Sequence, residues 1–220
     1  MKEAKNITVR KTVKKPIKKA ATTSAKKSSY LMLSIDYREA DGFWRKVVVP
    51  ADASLEYLHL VIQAAFGLLN YHDFGFNDGK HDYIPDGYIG IDEEITERYA
   101  SETKIGQIFK KVGTKVEYTY DSGDLVEFYV QLLDYADGIA EDVFGTSGPD
   151  LIEDSAGFNY TPGICYLLTD GKRTAESKEC VKWLKAAFNK TPADVLREPT
   201  VAEIFKRVKA VKVLKAKKAE

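Results

Sequence analysis

One stretch of the chain carries a clear helical stripe. Leu55, Leu58, Ile62, Ala65 and Phe66 fall at i, i+3, i+7, i+10 and i+11, on one face of a 3.6-residue helix. Asp52 or Ser54 can cap its start, and Gly67 stands where a left-handed terminating residue belongs. The chain before it is strand-like. Tyr30 to Asp36 is apolar and β-compatible, Asp41-Gly42 signals a turn, and Phe43 to Val49 runs on until Pro50 stops it. Those two runs read as an antiparallel pair. A one-sided helix must bury its stripe, and here the partner is a sheet, so the chain is constrained to α+β.

The rest of the body fits that frame. His72 to Ile84 reads as a hairpin around Asn77-Asp78-Gly79-Lys80, with Phe74 and Phe76 alternating onto one face. Residues 85–103 read as an acidic surface loop with a short helix, and Ile105, Ile108 and Phe109 suggest a brief helical turn. Two more strands follow, Lys115 to Tyr120 and Leu125 to Leu133, joined by Asp121-Ser122-Gly123-Asp124. The aromatics Tyr118, Tyr120, Phe128 and Tyr129 read as core rather than as base-stacking surfaces. From Asp134 to about Thr161 the chain is loop-like. Ile164 to Thr169 suits a strand or buried segment, and helices are expected at about 174–189 and 200–217. The expected fold is one α+β domain over residues 29–200. A single, mostly antiparallel sheet carries one packed helix, with C-terminal helices added.

Charge sets the two ends apart. The formal net charge is zero, from 33 basic and 33 acidic side chains. Residues 1–28 hold nine Lys and Arg10 against Glu3, and residues 201–220 hold six Lys and Arg207 against Glu203 and Glu220. The body between them keeps 16 basic and 30 acidic groups. An acidic body thus carries two basic ends. Residues 1–28 have too little apolar area to offset chain ordering and read as a disordered Lys-rich tail. Residues 201–220 read as a second floppy end, a basic C-terminal helix or tail.

No apolar run approaches the ~20 residues of a membrane span. The first residues lack the apolar centre of a secretory signal, and Cys165 and Cys180 cannot build a disulfide framework. A reducing, cytoplasmic setting is expected.

An ordered set of short motifs resembles a known family. It runs through Trp44-Arg45, Val47-Val48-Val49-Pro50-Ala51, Leu58-His59, Ile62-Gln63, Ala65-Phe66-Gly67, His72-Asp73-Phe74 and Tyr118-Thr119-Tyr120-Asp121-Ser122-Gly123-Asp124. Together these resemble the plasmid ORF-three-like family, first named from a root-inducing plasmid, over about residues 30–160. The resemblance implies a compact α+β fold akin to a β-grasp, an association with mobile elements, and no established activity. The family usually places two histidines around a leucine before the Phe strand, and Asn70-Tyr71-His72 keeps only the last. Where relatives tend to have Trp and His after the later turn, this chain has Val126 and Phe128.

Members are often labelled resolvases, and the residues argue against that chemistry. A tyrosine recombinase needs several Arg, commonly with His-x-x-Arg, to neutralise the scissile phosphate. None of the three histidines fits that pattern, and the body has only five Arg. No Gly-x-Gly-x-x-Gly or nucleotide-binding Lys loop occurs. No cofactor is expected.

Two chemical readings remain open. His72, Asp73, His81 and Asp82 lie on the two arms of one hairpin, and Asp121 and Asp124 sit on a neighbouring turn, so His72, His81, Asp121 and Asp124 are candidate metal ligands. The same residues also suit strand ends and turns. Lys14, Lys15, Lys18, Lys19, Lys26 and Lys27 can neutralise phosphates without reading sequence. The leading expectation is a non-catalytic binding module that contacts nucleic acid through its basic ends. The alternatives are a metal-dependent enzyme and a protein–protein adaptor.

Overall fold

A computed structural model of the chain describes residues 30–39, 41–87, 96–136, 143–151 and 175–218. The Lys-rich segment 1–28, the stretch from Ile164 to Thr169 and Cys165 lie outside the described residues. Strands β1 (Tyr30–Tyr37) and β2 (Trp44–Pro50) form the expected hairpin and lead into helix α1 (Leu55–Phe66). Next come β3 (Phe74–Asn77), β4 (His81–Ile84), β5 (Thr96–Tyr99), the single turn α2 (Ile105–Ile108), β6 (Lys115–Tyr120), β7 (Val126–Ala136) and β8 (Val143–Ser147). Helices α3 (Ala175–Phe188), α4 (Pro192–Val195) and α5 (Val201–Lys218) complete the described chain. Among the described residues, all eight strands join one open sheet in the order β5-β4-β3-β6-β7-β1-β2-β8. Every pairing is antiparallel except β4 with β5.

Period-two alternation sends one face of the central strands inward. Leu31, Leu33, Ile35 and Tyr37 of β1, Val47 and Val49 of β2, and Val116, Tyr118 and Tyr120 of β6 are buried, as are Val126, Phe128, Val130 and Leu132 of β7. The α1 stripe lies on this face, with Leu55, Leu58, Ile62, Ala65 and Phe66 all fully buried. Of the two candidate caps, Ser54 is the one used: its hydroxyl accepts from Tyr57 N. Gly67 ends the helix at φ 77°, and its N–H returns to Gln63 O.

Tyr129 departs from its expected place. It follows Phe128, so alternation turns it to the opposite face of the sheet, half-buried, away from Tyr118, Tyr120 and Phe128.

Three elements differ from the sequence reading. β5 lies inside the segment read as an acidic loop, and its strand character comes from pairing with β4. β8 lies inside the Gly-containing stretch read as loop. It is held by β2, through Trp44↔Ser147 and Lys46↔Gly145. The C-terminal helix is not a floppy end over its first turns. Ile204 and Val208 are buried in the main core with Phe205 and Val211 packed against it, because a 3–4 spacing gives the Lys-rich helix one apolar stripe. Thr200 and Glu203 cap α5 reciprocally, Glu203 Oε2 accepting from Thr200 N at 2.8 Å and Thr200 Oγ1 from Glu203 N at 3.3 Å.

Helices α3 and α4 bury a smaller cluster of their own, Cys180, Leu184 and Val195 with Trp183 and Phe188. Cys180 is a free buried thiol whose pKa burial pushes up. Among the described residues no helix is long and apolar enough to cross a membrane.

Candidate functional site

Helix α1 points one polar side chain into the core beside its apolar stripe. His59 follows Leu55 by four residues, shares the buried side and is 2% exposed. Its Nδ1 meets the Tyr118 hydroxyl at 2.8 Å, and its Nε2 meets Asn70 Oδ1. With an amide oxygen facing Nε2, the ring carries its proton there and Nδ1 accepts the hydroxyl proton of Tyr118. Gln63 Nε2 donates to the same hydroxyl oxygen at 2.9 Å. Phe74 stacks on the imidazole, with centroids 3.8 Å apart. The network ties α1 to β6 and to the loop after α1. Because Phe is nearly isosteric with Tyr, Tyr118→Phe is expected to cost about 1–3 kcal/mol, read by urea unfolding, through loss of the hydroxyl shared by His59 and Gln63.

Beside this network, and sharing His59 and Asn70 with it, lies a cleft of about 400 Å³ lined also by Glu56, His72, Asp73 and Asp86 among others. His72 reaches Asp121, with Nδ1 3.5 Å from Oδ2. Asp73 accepts from both N–H and hydroxyl of Ser122, at 3.0 and 2.7 Å. Asp121 Oδ1 accepts from Gly123 N and Asp124 N, which closes the turn between β6 and β7. These carboxylates therefore hold backbone in place.

The four candidate metal ligands are not brought together. His72 and Asp121 are neighbours, and Asp124 is exposed on the same turn. His81 is elsewhere. The β3–β4 register pairs Asn77 with Asp82, which puts His81 level with Asp78. His72 lies six residue steps away along the hairpin, about 20 Å at strand spacing. His81 instead takes a bond from Arg98 at 3.1 Å and lies 3.5 Å from Asp78. Asp78 also accepts from the hydroxyl of Tyr83 at 2.8 Å, and burial with that bond pushes Tyr83 up to about 12. Among the described residues no group of three or more His, Cys, Asp or Glu is placed to hold a metal ion.

The strongest charged site escaped the sequence reading. Arg45 is fully buried on β2, on the same inward side as Val47 and Val49. Its Nε donates to Ala65 O at the end of α1, Nη1 to Trp44 O and to Ser147 O of β8, and Nη2 to Pro149 O. The guanidinium lies 4.8 Å over the Phe66 ring and 3.6 Å from Asp150. Burial lowers its pKa to about 10, against the pull of Asp150. Asp150 takes a bidentate bond from Arg207 of α5 at 2.9 and 3.0 Å. One buried cation thus clamps β2, α1, β8 and, through Asp150, α5. The signal was available as parity, since an Arg two residues before Val47 must share its face.

No curated protein matches the chain. The crystal structure of MM3350, a protein of unknown function from Methanosarcina mazei Go1, has a similar fold. Its TM-score is 0.56 at 20% identity, covering 76% of this chain and 98% of that one. A family model described as plasmid pRiA4b ORF-3-like protein matches residues 31–197, beyond the expected end near 160 and through α3 and α4. The chain belongs to the plasmid pRiA4b ORF-3-like family.

Proposed function

We propose that this protein is a non-catalytic binding module whose Lys-rich ends contact nucleic acid. The observation that carries the reading is charge segregation: ten basic side chains against one acidic in residues 1–28, beside a body with 16 basic and 30 acidic. Several polar side chains of the described body are engaged in structural bonds. His59 holds Tyr118, Asp73 holds Ser122, and Arg45 holds three elements. Lys206 and Lys209 of α5 face solvent while Ile204 and Val208 face the core, which leaves a basic stripe outward.

The test is a salt series with full-length protein and a variant with Lys14, Lys15, Lys18, Lys19, Lys26 and Lys27 changed to Gln. Six lost phosphate contacts flatten the log–log salt slope by about 4–5. An unchanged slope overturns the role of the N-terminal segment.

The second reading, a metal-dependent enzyme, is favoured by one observation, the His72–Asp121 pair at the edge of the cleft. Stoichiometric metal in elemental analysis, lost in His72→Ala, supports it; no metal, with stability unchanged by chelator, removes it. A cytoplasmic, mobile-element setting fits the two cysteines and the family's plasmid name. We also read the order β2-β1-β7-β6 with α1 on one face as β-grasp-like in layout, differing from a β-grasp in its antiparallel β1–β7 pair.

A further inference from the structure

We propose that the outer face of the sheet is a stacking surface for single-stranded nucleic acid, with Trp44 and Tyr129 as platforms and Arg38, Lys46 and Lys115 as phosphate contacts. The proposal rests on the nucleic-acid reading and adds to it a partner class and a second contact.

The face is defined by parity. Arg45, Val47 and Val49 of β2 and Phe128 and Val130 of β7 point to α1, so Trp44 and Lys46, and likewise Tyr129, point the other way. Asp36 pairs with both Trp44 and Tyr129, which sets the two residues in one row. Two strand spacings separate them, about 10 Å. Both side chains are half-buried.

Trp44 has room to lie down on the sheet because position 145 is Gly. A Cβ there would come within 2.9 Å of Trp44 Cζ3. Cations already gather at both rings. Lys46 Nζ lies 4.7 Å from the Trp44 ring centroid, Arg38 Cζ 4.6 Å from that of Tyr129, and Lys115 Nζ 3.1 Å from the same ring. Such rings attract cations through their π-faces, and bases stack on the same faces. When a base takes the ring, the flexible Lys or Arg is left beside its phosphate.

Charge favours this face over the rest of the body. Around the rings Arg38, Lys46 and Lys115 balance Asp36, Glu117 and Glu127, three against three, whereas the body as a whole is 16 against 30. Asp36 accepts from Ser34 Oγ at 2.8 Å, and Glu127 is paired with Arg38 at 2.8 Å. A duplex keeps its base faces stacked and cannot use the rings.

The test uses the full chain with Trp183→Phe, which leaves Trp44 as its sole tryptophan. Intrinsic fluorescence and anisotropy are followed during titration with a dodecamer of oligo(dT) and with a duplex of the same length. Oligo(dT) is expected to quench Trp44 and the duplex is not. Trp44→Leu and Tyr129→Leu are each expected to weaken oligo(dT) binding about 5- to 100-fold, with the salt slope nearly unchanged. Lys115→Gln, a milder change, lowers the slope by about one. Circular dichroism melts confirm that the variants fold.

If oligo(dT) binds without quenching, or both leucine variants bind as the parent does, the stacking surface is overturned while tail binding stands. If the six-Gln variant retains its slope but the leucine variants fail, the stacking surface stands and the tail reading falls. Absence of any binding by the full chain overturns both.

Discussion

Replacing Arg45 with Met is expected to lower folding stability by about 3–5 kcal/mol, the range for removing one partner from a buried charged arrangement. Met keeps the aliphatic stem but not the donors. The carbonyls of Ala65, Ser147 and Pro149 lose their bonds in a dry site, and Asp150 is left with Arg207 alone as its cation. Guanidinium unfolding of the full chain reads the loss as a lower midpoint. Because Arg45 spans β2, α1 and β8, hydrogen exchange should speed up across all three elements together. A drop below ~1 kcal/mol, or faster exchange confined to β2, would show that the clamp is dispensable. Phe66 lies under the guanidinium, so Arg45→Met and Phe66→Leu should be non-additive in a double-mutant cycle.

Two neighbours on β7 give the second large effect and its control. Phe128 is fully buried and meets Phe66, Tyr118 and Tyr37 with ring centroids 4.9, 5.5 and 5.3 Å away. Phe128→Ala leaves a void at the junction of α1, β1 and β6, and about 3–5 kcal/mol of stability should be lost. Tyr129→Ala, one residue on, removes a half-buried ring from the outer face and should cost below about 1 kcal/mol. Thermal or denaturant unfolding of both decides the matter. Equal losses would mean that the outer face is as packed as the core.

That same pair shows what the sequence could reveal. Strand positions were legible because Asp41-Gly42, Asp78-Gly79 and Asp121-Ser122-Gly123-Asp124 punctuate apolar runs, and turn chemistry is local. The helix was legible because its stripe is regular and its caps are ordinary. Parity is legible too, yet taking the aromatics of β6 and β7 as one group places Tyr129 with the core. β5 and β8 were hidden because strands of four and five residues owe their state to the neighbour they pair with. The docking of α5 was masked by its lysines, although Ile204 and Val208 are spaced for burial. The His72–His81 pairing failed on register. Both arms of the hairpin were recognised, but the position of each histidine along its arm sets them at opposite ends.

The decisive experiment is the affinity of the unmodified full chain for oligo(dT) across a salt series. Binding is expected at low salt and weakens with a log–log slope of about −4 or steeper, as phosphate contacts release counterions. No binding at low salt, or binding insensitive to salt, rules out a nucleic-acid role for the basic ends and leaves the cleft between His72 and Asp86 as the candidate site.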